Sequence, residues 1–137
     1  MSSTSPETSA PALENGSLLI VEDGELTREL VKQIALNAGI ARIDTASTGA
    51  EALEMMSRHH YWLVLSDLRM SPMSGLDLLR AVKADARLKP RKFLVMTSRG
   101  NADGAKEAER AGADAIMLKP FSLRDFEATL RKLLAAG

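Results

Sequence analysis

The chain has 137 residues, a mass of 14.8 kDa and no cysteine, and this length suits one domain. Lys and Arg number 18, as do Asp and Glu, so a nucleic-acid binder held by bulk charge is not expected. The lack of cysteine excludes a disulfide framework, a cysteine-based zinc site and a thiol nucleophile. No apolar run approaches the ~20 residues that cross a bilayer, and no secretory signal pattern is present. We therefore expect a soluble cytoplasmic domain.

The first sixteen residues differ in amino-acid composition from the rest of the chain. Residues 1–16 are rich in Ser, Thr and Pro and carry almost no large apolar side chains. Such a segment buries too little apolar surface to offset the entropy lost on ordering. The sequence predicts a flexible N-terminal tail over 1–16 and a single folded domain over 17–137.

Short apolar runs alternate with helix-period segments from Ser17 onward. Strands are predicted over Leu18 to Val21, Ala41 to Ala46, Trp62 to Ser66, Lys92 to Met96 and Ala113 to Leu118. Continuous apolar runs are typical of parallel strands buried on both faces, whereas the second run alternates and suits an edge strand.

Helices are predicted after each strand. The first has an apolar stripe of Leu26, Leu30, Val31 and Ile34 and ends near Gly39. Capping spacings, in which Ser or Thr is followed three residues later by an acid, open three more helices at Thr48, Ser74 and Ser122. The remaining helix, Ala102 to Ala111, carries alanines instead of large apolar side chains, so we expect it to pack loosely and move easily.

Strand and helix alternate five times in this reading. Short right-handed connections leave few possible topologies for such an alternation. The sequence predicts an α/β fold of three layers, a doubly wound five-stranded parallel sheet flanked by five helices.

Polar side chains stand at the carboxyl ends of the predicted strands, where such sheets bind ligands. Three carboxylates, two hydroxyls and one ammonium are expected to meet at this edge: Glu22, Asp23, Asp67, Thr97, Ser98 and Lys119. Clustered carboxylates repel one another unless a cation shares them, and a hard cation such as Mg²⁺ prefers oxygen ligands. A carboxylate beside Mg²⁺, a lysine and a hydroxyl is suited to attack a phosphoryl group.

Taken singly, each of these features has an ordinary explanation. Glu22-Asp23 is a common acidic turn between strand and helix, and Asp67 or Thr97-Ser98 could simply cap a turn or a helix. Lys119-Pro120 alone is a usual start of a helix. Their joint placement at neighbouring strand ends favours the functional interpretation, because unneutralised carboxylates there would cost stability.

Four motifs in chain order resemble those of the receiver domains of two-component response regulators. They are Ile20-Val21-Glu22-Asp23; Ser66-Asp67-Leu68-Arg69-Met70 with Met73 and Gly75; Met96-Thr97-Ser98; and Lys119-Pro120-Phe121. The resemblance extends from about Ser17 to Ala135 and implies the CheY-like, flavodoxin-like fold. Because no output domain accompanies it, the chain resembles a single-domain regulator.

The resemblance implies a role in phosphoryl transfer for three residues. Asp67 would be the phosphoacceptor. Thr97 would swing toward the phosphoryl group, and Lys119 would pair with it. The bond between Lys119 and Pro120 would be the family's cis peptide bond, which aims the lysine.

The resemblance also implies a metal site and two modulating positions. Asp23, Asp67 and the backbone carbonyl of Arg69 would bind Mg²⁺ directly, and Glu22 would hold a metal-bound water. Arg69 and Arg99 stand where the family tunes the lifetime of the acyl phosphate. Two guanidinium groups could hold the phosphoryl oxygens and obstruct the attacking water, so we expect a long-lived phosphoprotein.

The chain departs from the family pattern at two positions. Ser71, followed by Pro72, stands where the family usually has proline, which leaves the shape of this turn open. Ile116 stands where the family usually has Tyr or Phe, so coupling by a ring flip cannot operate. The response must then pass through Thr97 and the alanine-rich helix.

The leading functional hypothesis is a phosphorylation-dependent signalling switch, not an enzyme acting on a separate substrate. A histidine kinase or phosphotransfer protein would be the donor, and a protein target would bind the face formed by the fourth helix, fifth strand and fifth helix. That face includes Lys106, Arg110, Ile116 and Arg124. We expect no direct contact with nucleic acid or membrane, and either a monomer or a phosphorylation-dependent dimer.

Two other classes of function compete with this one. A receiver-like binding module that works without phosphorylation is raised by Ile116 and Ser71. It would have no need of Mg²⁺. A phosphatase of the haloacid-dehalogenase type also forms an aspartyl phosphate, but Asp67-Leu68-Arg69 lacks the second aspartate of that family's motif.

Overall fold

The computed structural model describes residues 16–88, 90 and 92–136, apart from the side chains of residues 134 and 136. The predicted tail thus lies outside the described residues, except for Gly16, which is buried. Among the helices of the described part, none combines the length and the apolar character that a membrane span requires.

Five parallel strands form one sheet in the order β2-β1-β3-β4-β5. They are β1 (Ser17–Val21), β2 (Arg42–Ala46), β3 (Leu63–Asp67), β4 (Lys92–Ser98) and β5 (Ala115–Lys119). The predicted parallel sheet is confirmed, with β2 at an edge. The last three strands end one or two residues later than predicted, because a polar side chain does not prevent its backbone from joining the ladder. Asp67, Thr97 and Lys119 therefore belong to the sheet.

Five helices accompany the sheet in the described residues. They are α1 (Glu25–Asn37), α2 (Gly49–Arg58), α3 (Gly75–Ala84), α4 (Ala102–Arg110) and α5 (Leu123–Ala136). Ser74 and Ser122 each form a complete capping box with the acid three residues later. At α2 the box is half formed: the Thr48 hydroxyl caps Glu51, but the Glu51 carboxylate accepts from Ser47 instead.

Two apolar cores lie on opposite faces of the sheet, because successive strand residues point to opposite sides. Leu18 and Ile20 of β1 pack with α1 and α5. Leu19 and Val21 pack with α2, α3 and α4. This arrangement confirms the predicted three layers, and the carboxyl ends of the parallel strands lie at one edge of the sheet.

The apolar stripe predicted for α1 is wrong in part. Val31 and Ala35 are buried against the sheet, whereas Leu26 is 75% exposed and Leu30 is 58% exposed. The sheet covers only the side of the helix that carries Val31, Ala35 and Ile34. Leu30 instead lines a groove of about 550 Å³ between α1 and the connection that follows β5.

Helix α4 is anchored weakly, as its alanines predicted. Of its nine residues, all described, only Ala108 is buried. Since small side chains bury little apolar area, the position of α4 depends more than usual on its end contacts.

Candidate functional site

Three carboxylates meet where β1 and β3 end side by side. Val21 of β1 pairs with Ser66 of β3, so Glu22 and Asp23 follow β1 next to Asp67. Carboxylate oxygens from all three lie within 4.8 Å of one another. Glu22 is 3% exposed and Asp67 5% exposed, whereas Asp23 is open to solvent. The structure thus brings together the acidic group that the sequence predicts.

Lys119 supplies the positive charge of this site. It is the last residue of β5, and its long side chain reaches across the end of β4 to the acidic group. Its Nζ lies 2.8 Å from Asp67 Oδ1 and 3.5 Å from Glu22 Oε1. The predicted cis peptide bond between Lys119 and Pro120 is confirmed.

The surroundings of Glu22 oppose its ionisation. Burial raises the pKa of Glu22, and the charges of Asp67 and Asp23 add to this effect, while the Gly24 N–H and Lys119 oppose it. Burial disfavours the charge of Lys119. Asp67 and Glu22 outweigh burial, however, and raise the pKa of that lysine.

The two carboxylate oxygens of Glu22 differ in their contacts, since only one of them accepts a hydrogen bond from the part of the chain that the structure describes and the other has the ion-pair contact with Lys119 at 3.5 Å. Oε2 accepts a hydrogen bond from the Gly24 N–H at 3.1 Å. Among the described residues, Oε1 is buried with no hydrogen-bond partner. A buried carboxylate oxygen of this kind is costly. Three carboxylates against one lysine leave excess negative charge, so the donor set fits a hard divalent cation such as Mg²⁺.

Replacing Glu22 with Gln should stabilise the metal-free protein at neutral pH. Folding raises the pKa of Glu22, so the protonated carboxyl group favours the folded state. This stabilisation is fully present below pH 4.5, the ordinary pKa of the group, and is lost as the pH rises through the raised pKa. We expect Glu22→Gln to raise the free energy of unfolding by about 1 kcal/mol at neutral pH. Urea unfolding in EDTA, at neutral and mildly acid pH, measures this.

The exposed Glu29 on α1 offers a matched control for that substitution. Glu29→Gln should leave stability nearly unchanged at both pH values. If Glu22→Gln keeps the pH dependence of the wild type, the account of this carboxylate is incorrect.

Thr97 lies at the same sheet edge, one residue beyond the β4 partner of Asp67. It is 2% exposed, and its hydroxyl oxygen accepts a hydrogen bond from Asn101 Nδ2 at 3.2 Å. Sequence reasoning missed Asn101. The available signal was its position before the alanine-rich helix, where Asn is a favoured N-cap. Sequence reasoning also missed Arg28, whose guanidinium donates to the Glu22 carbonyl at 3.0 Å.

Within the described ranges, the remaining predicted positions make no ion pair with the acidic group. Arg69 and Arg99 have exposed side chains. Arg99 lines a groove of about 320 Å³ together with Ile116 and residues of the β5–α5 segment. Ile116 is half-buried and packs against the core shared by α2, α3 and α4. The bond between Ser71 and Pro72, where the sequence left the turn open, is cis.

Comparisons with known proteins agree with the observed fold. A model of the family described as "Response regulator receiver domain" matches residues 18–131. The chemotaxis protein CheY of Pseudomonas aeruginosa is 33% identical over 116 residues, which make up 85% of this chain and 94% of that protein. The two-component response regulator PhoP of the same organism is 36% identical over 85% of this chain, which spans only 51% of PhoP.

A solved structure shares the fold at a similar level of identity. The CheY-like response regulator receiver domain from Methylobacillus flagellatus superposes with a TM-score of 0.77 at 30% identity, covering 86% of this chain and 98% of that one. The segment matched by the family, 18–131, contains Glu22, Asp23, Asp67, Thr97 and Lys119. The matched segment therefore spans the whole acidic edge.

Proposed function

The chain belongs to the response regulator receiver domain family, and we propose that it is a phosphorylation-dependent switch of a two-component system. Asp67 accepts a phosphoryl group from a histidine kinase or phosphotransfer protein. The observation that carries this proposal is the contact of 2.8 Å between Lys119 Nζ and Asp67 Oδ1 inside the acidic group. A lysine that contacts two buried carboxylates beside a third serves a site that handles negative charge.

The transfer assigns one task to each side chain. The Asp67 oxygen that is not bound to Lys119 attacks phosphorus. An oxygen–phosphorus bond forms, the phosphorus–nitrogen bond of the donor phosphohistidine breaks, and the leaving imidazole nitrogen takes up a proton. Lys119 offsets the charge on the phosphoryl oxygens, and the Thr97 hydroxyl donates a hydrogen bond to one of them. The chain takes part in its own phosphorylation and does not turn over a separate substrate.

Glu22, Asp23, Asp67 and the backbone carbonyl of Arg69 are the groups proposed to hold Mg²⁺. Glu22 Oε1, which is buried without a hydrogen bond among the described residues, and the spacing of the three carboxylates support this assignment. When bound, the ion supplies positive charge that stabilises the phosphoryl oxygens. Glu22 acts through a metal-bound water in this proposal, and Asp23 and Asp67 act as direct ligands.

The output face is proposed to be the surface of α4, β5 and α5. The groove beside Ile116 lies on this face, and Arg99, Leu118 and Phe121 contribute to its lining. Lys106, Arg110 and Arg124 add exposed positive charge around it. A protein target binds there, in a cytoplasmic setting and without direct contact to nucleic acid, and the chain acts as a monomer or as a phosphorylation-dependent dimer.

A long-lived acyl phosphate is expected from the two arginines that flank the site in sequence. Arg69 and Arg99 can hold phosphoryl oxygens and obstruct the attacking water. After removal of the phosphodonor, the wild-type adduct should persist well beyond seconds. Arg69→Ala and Arg99→Ala should each shorten its lifetime, by about two- to tenfold. Timed intact-mass spectra measure the decay, and a wild-type lifetime of only seconds would contradict the expectation.

A receiver-like module that binds its partner without phosphorylation is the second candidate function. Ile116 favours it, since the side chain cannot perform the ring flip of the family's usual aromatic residue. The buried carboxylates disfavour it. Burying charged groups lowers the stability of the fold, and a module without phosphoryl chemistry gains nothing in return.

Intact mass separates the two candidates. With acetyl phosphate and Mg²⁺, we expect one phosphoryl adduct on the wild type, and none on Asp67→Asn or in EDTA. Asp44→Asn, on the edge strand β2, is the matched control and should still accept one. A folded wild-type protein without an adduct would contradict the switch and favour the binding module.

A further inference from the structure

The side chain of Asn101 joins the Thr97 hydroxyl to the first turn of α4. Its Nδ2 donates to Thr97 Oγ1 at 3.2 Å, and its Oδ1 accepts from the Gly104 N–H at 3.2 Å. Both ends of the carboxamide are thus in use. The same side chain therefore caps a helix and contacts a buried threonine.

The absence of a side chain at Gly104 leaves room for the Asn101 carboxamide. A Cβ on that glycine would lie 2.5 Å from Asn101 Nδ2 and 2.8 Å from Asn101 Cγ. Any larger residue at position 104 would push the amide away from Thr97. The two hydrogen bonds of the Asn101 side chain therefore require both Asn101 and Gly104.

The two hydrogen bonds of the Asn101 side chain connect the interior strand β4 with the loosely packed helix α4. Thr97 lies in the central part of the sheet, between β3 and β5, and is 2% exposed. On α4, only Ala108 is buried. Since few apolar contacts fix α4, a hydrogen bond at its first turn carries a large share of its attachment.

We propose that Asn101 is a positioning residue that holds the Thr97 hydroxyl in its resting place and couples its movement to α4. This inference rests on the proposed function, in which Thr97 approaches the phosphoryl group on Asp67. When Thr97 Oγ1 moves toward that group, its hydrogen bond with Asn101 breaks, and the first turn of α4 loses a tie to the sheet. The coupling needs no aromatic residue at position 116.

Affinity for beryllofluoride, a phosphoryl analogue, tests the role of Asn101. Asn101→Ser keeps a capping oxygen for Gly104 but is too short to donate to Thr97. Since the resting state loses one neutral hydrogen bond, Asn101→Ser should bind beryllofluoride about two- to tenfold more tightly in Mg²⁺. Asn101→Ala should show the same gain together with a lower thermal midpoint, because it also loses the cap. Asn37→Ser, at the far end of α1, is the control.

A purely capping role predicts a different pattern. In that case Asn101→Ser would bind beryllofluoride as the wild type does, and the inference would be overturned. If the wild type itself fails to bind the analogue, the proposed function fails and the role of Asn101 fails with it.

Nuclear magnetic resonance of the wild type gives a second readout that needs no variant. In the free protein, a nuclear Overhauser effect should be observed between the Asn101 side-chain amide protons and the Thr97 β proton. Saturation with beryllofluoride should abolish that effect and shift the amide signals. Persistence of the effect in the saturated protein would overturn the inference even where the affinities change.

Discussion

Lys119→Gln is expected to destabilise the metal-free protein at neutral pH and to abolish phosphoryl acceptance. Its Nζ contacts Asp67 at 2.8 Å and Glu22 at 3.5 Å, and both carboxylates are buried. Removing one partner of a buried ion pair costs about 3–5 kcal/mol. Because the lysine side chain is itself half-buried, we expect a loss of roughly 2 kcal/mol in the free energy of unfolding.

The pH dependence of that loss follows from the raised pKa of Lys119. A raised pKa means that its stabilisation is fully present below 10.5, its ordinary value, and is lost as the pH rises through the folded value. The wild type should therefore lose this contribution in strong alkali, whereas Lys119→Gln lacks it throughout. Urea unfolding across the pH range measures the difference. Lys106→Gln on the exposed face of α4 is the control, and equal stabilities of the two variants would contradict the assignment.

Gly75→Ala is expected to destabilise the fold by about 3 kcal/mol. Gly75 begins α3 directly against the end of β3, and its N–H donates to the Leu68 carbonyl at 2.8 Å. An added Cβ would lie 2.8 Å from Leu68 Cα and closer still to the carbonyl oxygen of Asp67. These are backbone atoms, so no side chain can turn aside to make room. The helix must shift, and Asp67 with it.

Gly100→Ala is the matched control for this substitution. A Cβ at Gly100 would meet no atom within 4 Å, so its stability should change by less than about 0.5 kcal/mol. Thermal unfolding of both variants, with the rate of adduct formation from acetyl phosphate, measures the effects. If Gly75→Ala and Gly100→Ala have the same thermal stability and the same rate of adduct formation, then the close backbone contact at the end of β3 does not require glycine at position 75.

Most of the fold follows from patterns that are local in the sequence. Buried parallel strands read as continuous apolar runs, and the capping signals at Ser74 and Ser122 depend on residues three apart. The apolar runs predict strand ends that lie too early, because Asp67, Thr97 and Lys119 are polar although their backbones join the sheet. Chain order alone then predicted which side chains meet at the carboxyl edge.

What the sequence could not predict depends on distances between elements. The exposure of Leu26 and Leu30 follows from how α1 rolls on the sheet, and a helical stripe alone does not fix that roll. The hydrogen bond between Asn101 and Thr97 requires the connection after β4 to turn back on the strand end. Whether Arg99 faces the acidic group or the groove beside Ile116 likewise depends on the path of that loop.

Locating the phosphoryl group is the most direct test of the central claim that Asp67 is the acceptor. Borohydride reduces an acyl phosphate to an alcohol, so the modified aspartate becomes homoserine, which peptide mass spectrometry identifies. After treatment with acetyl phosphate and Mg²⁺, we predict homoserine at position 67 and unchanged Asp23 and Asp44. Homoserine at another position, or none in a protein that carries a phosphoryl adduct, would contradict the account.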